Sequence, residues 1–384
     1  MSIRRLFLIS FVVFVFIGTV NAQENNYQID ALVHPNCKTV TITVGGENAD
    51  IYGFTSSAIT QAVNIVKNKH GGIVKLNPGI FGISGPVILA SNVTLTGAGA
   101  QTVLKKINGV RTPFIIDADY GELKVTVKDP TGFLSGMGVQ LYDKNQNSGW
   151  DVSTALITKI EQNTIYIDNY LARDYVADAE GTLSNACSII SAVGTANVRI
   201  ENLVVDGNKQ TNDFLNGCRG GAVYVHKSTN TWIENIEVRD FNGDGISWQL
   251  TENVTVRNCE VSGCTNSGLH PGTGSPKSTI EGNNSHHNGN EGIFICWRVH
   301  HGIVRNNQFH HNGRHGICTG HKDTDMYFED NHVFQNGNDG INFRYEKAAN
   351  APHRNTFVRN TIEDNGTKNG GYGFSIVFRT NVLR

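Results

Sequence analysis

Six glycines recur at steps of 23 or 24 residues through the second half of the chain: Gly221, Gly245, Gly268, Gly292, Gly316 and Gly340. Two asparagine columns keep the same step, one at Asn283, Asn307 and Asn331 and the other at Asn288, Asn312 and Asn336. Both columns return once more, at Asn360 and Asn365. A fixed repeat of about 20–50 residues is typical of a solenoid, whose units bury a core only by stacking. The chain is therefore expected to fold as a stack of similar coils.

A single repeat, residues 292–315, contains three short runs (GIFIC, IVRNN and QFHHNG) and no helical periodicity. Apolar residues alternate within these runs, which is the pattern of β-strands. Three strands with their turns close one coil, and stacked coils lie about 4.8 Å apart. Asparagine suits such a column, because its amide can hydrogen-bond its counterpart in the next coil and because it tolerates the left-handed backbone of a sharp turn. The repeat predicts an all-β fold, a parallel β-helix.

The ends and the composition of the chain indicate its compartment. Arg4 and Arg5 precede an apolar run, and Ala22 ends a small-residue cleavage motif, so residues 1–22 are predicted to be a signal peptide of a secreted or periplasmic protein. A membrane anchor is the alternative, although the apolar run is short for a full span. A net charge of −2 argues against a dedicated nucleic-acid binder. The oligomeric state is not encoded in these features.

The seven cysteines form no metal-type pair and are odd in number. We expect most of them to be small core or surface side chains. They are Cys37, Cys187, Cys218, Cys259, Cys264, Cys296 and Cys318.

The mature chain divides into three parts by pattern. Residues 23–109 contain a helix capped near Thr55 and the first coils, and the helix is expected to cover the open end of the solenoid. Residues 110–190 break the repeat with paired β-runs and are predicted to be a β-rich insertion. Residues 191–384 form the repeats and carry the predicted substrate groove.

The stretch from Ser56 to Leu104 resembles the opening of the pectate-lyase-like superfamily, with a capping helix, Gly71-Gly72, a strand with Pro-Gly and the run SNVTLTGAG. The resemblance resumes at NVRIENLVVDGN, from Asn197, and continues to about Gly366. It implies a right-handed parallel β-helix with an N-terminal capping helix. It does not imply one reaction, because that superfamily includes lyases, hydrolases, epimerases and phage-tail proteins.

Strand alternation assigns the faces of the first strand in each repeat. Tyr224 and Trp248 are expected to point inward, whereas His270, Gln249, Asn342 and Arg344 are expected to point outward. In the resembled enzymes the substrate lies in a groove along this outward face. The turns that follow carry further polar or aromatic candidates: Trp297, Arg298, His300, His321, Lys322, Asp323, Asp325, Tyr345 and Glu346.

Cations outnumber carboxylates in this predicted groove, which favours an anionic polysaccharide as the partner. A polysaccharide lyase needs a base beside the uronate carboxylate and a cation that neutralises it. The predicted catalytic residues are His321, Lys322, Asp323, Arg298, Arg344 and His270. Trp297, Gln249, His300, Asp325, Asn342, Tyr345 and Glu346 are predicted to bind substrate.

Other functions stay open at this point. Two carboxylates among Asp244, Asp323, Asp325 and Glu346 could serve a glycoside hydrolase. The motifs of the polygalacturonase-like hydrolases are only partly present, however, as Asn242-Gly243-Asp244 and Gly320-His321-Lys322. A uronate epimerase is a further alternative, but the Asp-Pro-His motif is absent. The last alternative is a non-catalytic solenoid that binds glycans or acts in adhesion.

No metal follows from the sequence. Asp323, Asp325 and Glu346 carry oxygen ligands of the kind that bind Ca²⁺, but their spacing does not specify such a site. Two layers of paired histidine, His286-His287 and His310-His311, are predicted to form a solvated ladder, with a transition-metal site as the alternative.

Overall fold

The computed structural model describes residues 39–376, so the predicted signal peptide and Cys37 lie outside it. Three parallel sheets run the length of the solenoid and confirm the predicted β-helix. Sheet A contains, in spatial order, Ile51–Tyr52, Val40–Gly45, Gly72–Leu76, Val93–Thr96, Ala196–Glu201, Thr229–Glu234, Glu252–Arg257, Thr279–Glu281, Ile303–Arg305, Tyr327–Glu329 and Thr356–Val358. Sheet B contains Gly79–Ile83, Thr102–Lys106, Val204–Asp206, Glu237–Arg239, Glu260–Ser262, Asn284–His286, Gln308–His310, His332–Phe334 and Thr361–Glu363. Sheet C contains Val87–Leu89, Ile190–Val193, Val223–His226, Ile246–Gln249, Leu269–Gly272, Ile293–Phe294, Ile317–Thr319, Ile341–Phe343 and Phe374–Ile376.

An amphipathic helix, Ser56–Lys67, packs on the first coils, as the sequence predicts. The Thr55 side chain accepts a hydrogen bond from the Ala58 backbone N–H and so caps its first turn. Its apolar side is buried in the same core as the coils, which covers strand edges that would otherwise be open. Short 3₁₀ turns occur at Gly99–Gln101, Ala177–Ala179 and Ala348–Asn350.

The two asparagine columns form buried hydrogen-bonded ladders. Asn307 accepts from the side-chain amide of Asn283 at 2.9 Å and donates to the side-chain oxygen of Asn331 at 2.9 Å. The second column repeats this pattern from Asn288 to Asn365. The left-handed backbone, however, belongs to the residue before each ladder asparagine, such as Asn306 before Asn307. The ladder residues themselves stabilise the stack by their amides.

The core lies between the three sheets, and one predicted assignment in it is wrong. Val223, and not Ala222, pairs with Ile246, so Tyr224 shares the outward row with Ser247. The loop before this strand is longer than in the later coils and shifts the register by one residue. A shift of one residue exchanges the two faces of a strand. Trp248 points inward and is fully buried, as predicted.

Between the first and second strands of sheet C the chain forms a separate six-stranded antiparallel sheet, here called the insertion sheet. It has its own buried apolar cluster, which includes Leu141, Ile165 and Tyr175. Its strands, in spatial order, are Arg111–Pro113, Thr182–Ser184, Gly138–Tyr142, Ser153–Glu161, Thr164–Ile167 and Lys124–Thr126.

Two kinds of loop border the outer face of sheet C. The loop of residues 207–222, here called the covering loop, precedes the third strand of sheet C and is tied to the insertion sheet. Gln140 donates to the Phe214 carbonyl at 2.9 Å, and Tyr142 donates to Asp213 at 2.8 Å. Enlarged turns at 295–302, 320–326 and 344–355 lie at the other ends of the strands. In residues 39–376, no helix is long and apolar enough to cross a membrane.

Candidate functional site

The outer face of sheet C presents two rows of side chains, which are the rows expected to form the groove. The first row places Tyr224, Ser247, His270, Phe294, Cys318 and Asn342 on successive coils. The second row contains His226, Gln249, Gly272 and Cys296, with Gly272 and Cys296 joined by a parallel bridge. These rows bring together side chains that are up to 118 positions apart in the sequence, from Tyr224 to Asn342.

His270 is buried, contrary to the expectation that it faces the groove openly. Its Nδ1 lies 2.6 Å from a carboxylate oxygen of Asp244, which is itself fully buried and accepts the Ser267 backbone N–H at 2.9 Å. The covering loop lies directly over this pair, since a Cβ on Gly217 would stand 1.6 Å from Asp244 Oδ2. Burial alone lowers the pKa of His270, but the Asp244 charge and hydrogen bond, together with the nearby Cys296, raise it to about 10.

Gln249 is also buried rather than exposed, because the covering loop closes over it. Its amide lies 3.4 Å from the Gly217 carbonyl and 3.3 Å from Ser247 Oγ. Gln249 therefore holds the loop, and direct contact with a substrate is excluded in this conformation. Asn342 is partly buried and donates to Asp339 at 3.0 Å.

Asp323 is fully buried, which contradicts its predicted place in the open site. One carboxylate oxygen accepts the Gly320 N–H at 2.8 Å and the other accepts the Val299 N–H at 3.1 Å. Burial raises the pKa of Asp323 to about 6, although the Arg344 charge opposes this rise. Asp323 thus fixes two turns and cannot touch a sugar.

Arg344 lies on the outer face of sheet C, where the sequence places it. Its guanidinium group stands 4.6 Å from the centre of the Phe294 ring and 3.4 Å from Asp323 Oδ2. It also lies beside Cys318, at 3.8 Å from the sulfur. These contacts fix a positive charge on this face.

A group of residues lies on the enlarged turns, and we call it the turn cluster: Trp297, Arg298, Lys322 and Tyr345, which are exposed, and His321 and Glu346, whose side chains are 18% and 20% exposed. Trp297 is 50% exposed, and its ring stacks on His321 with centroids 4.7 Å apart. His321 Nδ1 lies 3.2 Å from a Glu346 oxygen. The Arg298 guanidinium is 5.9 Å from the Trp297 ring. Four of the predicted site residues, Trp297, Arg298, His321 and Glu346, are therefore brought together, and Lys322 and Tyr345 are their neighbours in sequence.

His300 and Asp325 have partners of their own. Asp325 accepts two hydrogen bonds from Arg354, at 2.6 and 2.8 Å, and these hold the pKa of its carboxyl well below the usual range. The Nδ1 atoms of His300 and His301 lie 2.8 Å apart, and burial together with the His301 charge lowers the pKa of His300. Because Arg354 holds Asp325 in an ion pair, Asp325 is a poor candidate for substrate binding.

No set of three His, Cys, Asp or Glu side chains is arranged as metal ligands within residues 39–376. Asp323 and Asp325 have oxygens engaged by backbone N–H groups and by Arg354, respectively, and do not converge with Glu346 as a Ca²⁺ site would require. The predicted histidine ladder is present on sheet B, where His286 stacks on His310 with centroids 4.9 Å apart.

Strand alternation places Cys296 on this outward face, but the predicted site residues do not include it. It is only partly buried, and its side chain contributes to the raised pKa of His270. The signal was present in the spacing, because His270 and Cys296 are 26 residues apart, one coil plus two strand positions. That spacing places both on the same face of neighbouring strands.

The fold has relatives among solved structures. The A-module of mannuronan C-5 epimerase AlgE6 from Azotobacter vinelandii is 20% identical, with 83% of this chain and 69% of that chain covered and a TM-score of 0.56. The N-terminal fragment of gene product 12 of bacteriophage Phi29 is 18% identical, with 78% of this chain and 42% of that chain covered and a TM-score of 0.50. At these identities the likeness concerns the fold. No curated protein matches the sequence.

The family model described as "Right handed beta helix region" matches residues 144–297 and 273–383. These two matches include the predicted repeats and part of the insertion sheet, and they agree with the three stacked parallel sheets. The chain therefore belongs to the right-handed β-helix family.

Proposed function

We propose that the protein is a secreted enzyme that acts on an acidic polysaccharide and cleaves it by β-elimination. The observation that carries this proposal is the turn cluster, in which an exposed tryptophan stacks on a histidine that is hydrogen-bonded to a carboxylate, beside an exposed arginine. This arrangement combines a sugar-stacking surface, a base with an orienting partner and a cation. Residues 1–22 are proposed as the signal that directs secretion.

An extended polymer suits the outer face of sheet C. Coils about 4.8 Å apart offer a regular series of contacts along a chain. Trp297 and Tyr345 are 50% and 44% exposed, and their rings can cover sugar faces. A cavity of about 330 Å³ between the insertion sheet and sheet C, lined in part by Arg219 and Tyr224, extends this surface toward the N-terminal coils.

In the proposed reaction, His321 removes the proton beside the uronate carboxylate, and Glu346 orients its ring. Arg298 neutralises the carboxylate, so that the negative charge that develops in the transition state is stabilised. The electron pair of the broken C–H bond forms a C=C bond as the glycosidic C–O bond breaks. Exposed Lys322 donates a proton to the leaving oxygen.

Hydrolysis by paired carboxylates has less support. Asp323 is buried with both oxygens on backbone N–H groups, and Asp244 is buried against His270. Asp325 is held by Arg354. A hydrolase needs two carboxyl groups open to the same bond, and of these four carboxylates only Glu346 lies in the turn cluster.

Epimerisation begins with the same proton removal, and the AlgE6 neighbour is named for that reaction. The two outcomes differ in their products, because only elimination breaks the chain and creates an unsaturated sugar that absorbs ultraviolet light. Epimerisation leaves the chain length unchanged and exchanges the abstracted hydrogen with solvent.

The test is incubation of the mature chain with polymers of mannuronate, guluronate, galacturonate and glucuronate, followed by ultraviolet absorbance, reducing ends and deuterium uptake. His321→Ala is expected to reduce product formation by about 100-fold or more. His332→Ala is the matched control, because His332 also pairs with a glutamate, Glu363 at 2.7 Å, but lies on sheet B. Equal activity of His321→Ala and the wild type would refute this site, and retention of glycan without any product would identify a binding protein.

A further inference from the structure

We propose that two stacked histidine pairs on sheet B, His286-His287 and His310-His311, bind transition-metal ions, one ion to each pair, and prefer Cu²⁺ or Ni²⁺ to Zn²⁺. In each pair the two Nδ1 atoms face each other, at 2.8 Å in the first pair and at 2.7 Å in the second. The pairs lie at the ends of two strands of sheet B. The inference therefore does not depend on the chemistry proposed for the outer face of sheet C.

The backbone brings these consecutive side chains together. Neighbouring residues of a strand normally point to opposite faces, but the second histidine of each pair has a left-handed backbone, with φ of 55° at His287 and 54° at His311. The next residue is a buried ladder asparagine, Asn288 or Asn312, which hydrogen bonds to the neighbouring coils hold in place. Each pair is thus built on the regular part of a coil.

The opposite nitrogen of the first ring in each pair already has a partner. His286 Nε2 lies 3.2 Å from a Glu260 carboxylate oxygen, and His310 Nε2 lies 2.9 Å from the side-chain oxygen of Asn284. Because these oxygens accept hydrogen bonds, Nε2 of each neutral ring carries the proton and Nδ1 keeps a lone pair. An oxygen acceptor on the outer nitrogen is also what orients histidine as a metal ligand.

The separation of the Nδ1 atoms selects the metal. Two nitrogens 2.7–2.8 Å apart, each bonded at about 2.0 Å, subtend an angle of about 85–90° at an ion. Neighbouring ligands of square-planar and tetragonal Cu²⁺ and Ni²⁺ sites make this angle, whereas tetrahedral Zn²⁺ needs nitrogens about 3.3 Å apart. Rotation of the exposed second ring, after its proton has moved to Nε2 through solvent, turns both lone pairs toward the ion. Water completes the coordination.

The two pairs form separate layers. His286 stacks on His310 and His287 stacks on His311, with centroids 4.9 and 4.8 Å apart and ring planes within 9° of parallel. Equivalent nitrogens of nearly parallel stacked rings are about as far apart as the centroids. Two metal–nitrogen bonds of about 2.1 Å span at most about 4.2 Å. One ion cannot bond to both layers, so each layer holds its own ion.

The charge beside each layer sets the order of filling. Glu260 contacts His286, whereas an uncharged amide contacts His310. The carboxylate raises the basicity of its histidine and offsets the charge of the ion. We therefore expect His286-His287 to fill first. Because two divalent ions about 4.8 Å apart repel each other, the second is expected to bind at least about tenfold more weakly.

The first experiment titrates the full chain, without an affinity tag, with CuCl₂ at neutral pH and records electron paramagnetic resonance. At low occupancy the spectrum is expected to show tetragonal Cu²⁺ coupled to two imidazole nitrogens. When both layers are filled a half-field transition is expected, because unpaired electrons about as far apart as the stacked rings couple strongly. The Nδ1 atoms of His300 and His301 make the same contact, but no second pair stacks on them in residues 39–376, so an ion there cannot produce this transition.

The second experiment removes one ligand from each layer with the double variant His287→Gln, His311→Gln. Glutamine fits this position, because Gln335 occupies it on the next coil with φ of 52°. The half-field transition is expected to disappear, and the affinity for Cu²⁺ in calorimetry is expected to fall at least about tenfold. Calorimetry uses the background His300→Gln, His301→Gln, so that the third pair does not contribute. Circular dichroism establishes that each variant is folded.

His332→Gln is the matched control, because His332 lies on sheet B beside a carboxylate, Glu363 at 2.7 Å, without an adjacent histidine. Both signals are expected to stay unchanged in this variant. Ni²⁺ is expected to bind more tightly than Zn²⁺, which tests the angle between the ligands, since Cu²⁺ leads in most sites. Absence of the half-field transition in the wild type, Cu²⁺ affinity that the double variant leaves unchanged, or tighter binding of Zn²⁺ than of Ni²⁺ would overturn the inference.

Discussion

The asparagine ladder makes a quantitative prediction about stability. Asn307 is buried in the middle of its column. Its side-chain oxygen accepts from the backbone N–H and the side-chain amide of Asn283, and its amide donates to the Ile280 carbonyl and to Asn331, each at 2.9 Å. Asn307→Ala removes these four hydrogen bonds.

The loss of stability in Asn307→Ala depends on whether each former partner of Asn307 keeps another hydrogen bond. The Asn283 amide still donates to the Val256 carbonyl, and the Asn331 oxygen still accepts the backbone N–H of residue 307. The Ile280 carbonyl still accepts the Arg305 backbone N–H within sheet A, so only the Asn283 backbone N–H loses its acceptor. One buried N–H without a partner, at about 1–3 kcal/mol, predicts a loss of about 2 kcal/mol in the free energy of unfolding.

Asn360→Ala is the matched control, because Asn360 accepts the same two bonds from Asn331 but is only partly buried. Water can replace its bonds, so we expect a loss of about 1 kcal/mol. Urea unfolding followed by circular dichroism and by tryptophan fluorescence measures both variants. If Asn307→Ala costs no more than Asn360→Ala, the ladder is not the source of coil stability that we infer.

Three further predictions concern the outer face of sheet C. Trp297→Ala is expected to weaken polysaccharide binding about fivefold in calorimetry, because about 1 kcal/mol of ring stacking is lost. Trp232→Ala on sheet A is the control. Equal effects of the two substitutions would contradict the proposal that substrate binds along the outer face of sheet C. Because the pKa of His270 is raised to about 10, its contribution to stability is complete below a pH of about 6.5 and is lost as the pH rises toward 10. The thermal unfolding temperature of His270→Gln should lack this decline with pH. The same decline in the variant and the wild type would refute the ion pair with Asp244. Asp323→Asn should lose about 1–3 kcal/mol at neutral pH in urea unfolding, because an amide nitrogen replaces one backbone acceptor. The same variant should lack the gain in stability that a raised carboxyl pKa of about 6 gives as the pH falls through that value, and a wild-type response in both measurements would contradict the turn-fixing role.

The regular part of this protein could be predicted from sequence because its signal is repeated. Asn283, Asn307 and Asn331 stand 24 residues apart, and each copy strengthens the same inference about stacking. The capping helix was also predictable, since Thr55 and the apolar residues after it follow helix rules that act locally.

The site was harder to predict because it depends on segments that do not repeat. The covering loop occurs once, so no period reveals that Gly217 lies over Asp244 and buries His270. The same loop shifts the register at Tyr224 by one residue. Asp323 illustrates a second difficulty, because residue type alone does not distinguish a carboxylate that binds substrate from one that accepts two backbone N–H groups.

The residues that stabilise this fold and the residues proposed to act on substrate lie in different parts of the coils. The asparagines in the middle of the two ladders, such as Asn307, are buried and satisfy one another, so a ligand cannot reach them. Trp297 and Arg298 are exposed and His321 is partly exposed where the turns between sheets C and A become longer. A stack of coils about 4.8 Å apart is uniform along its axis, so position along a polymer can be selected only where this uniformity is broken. We therefore expect substrate preference to follow the enlarged turns and the covering loop, whereas changes in the ladders should alter stability alone.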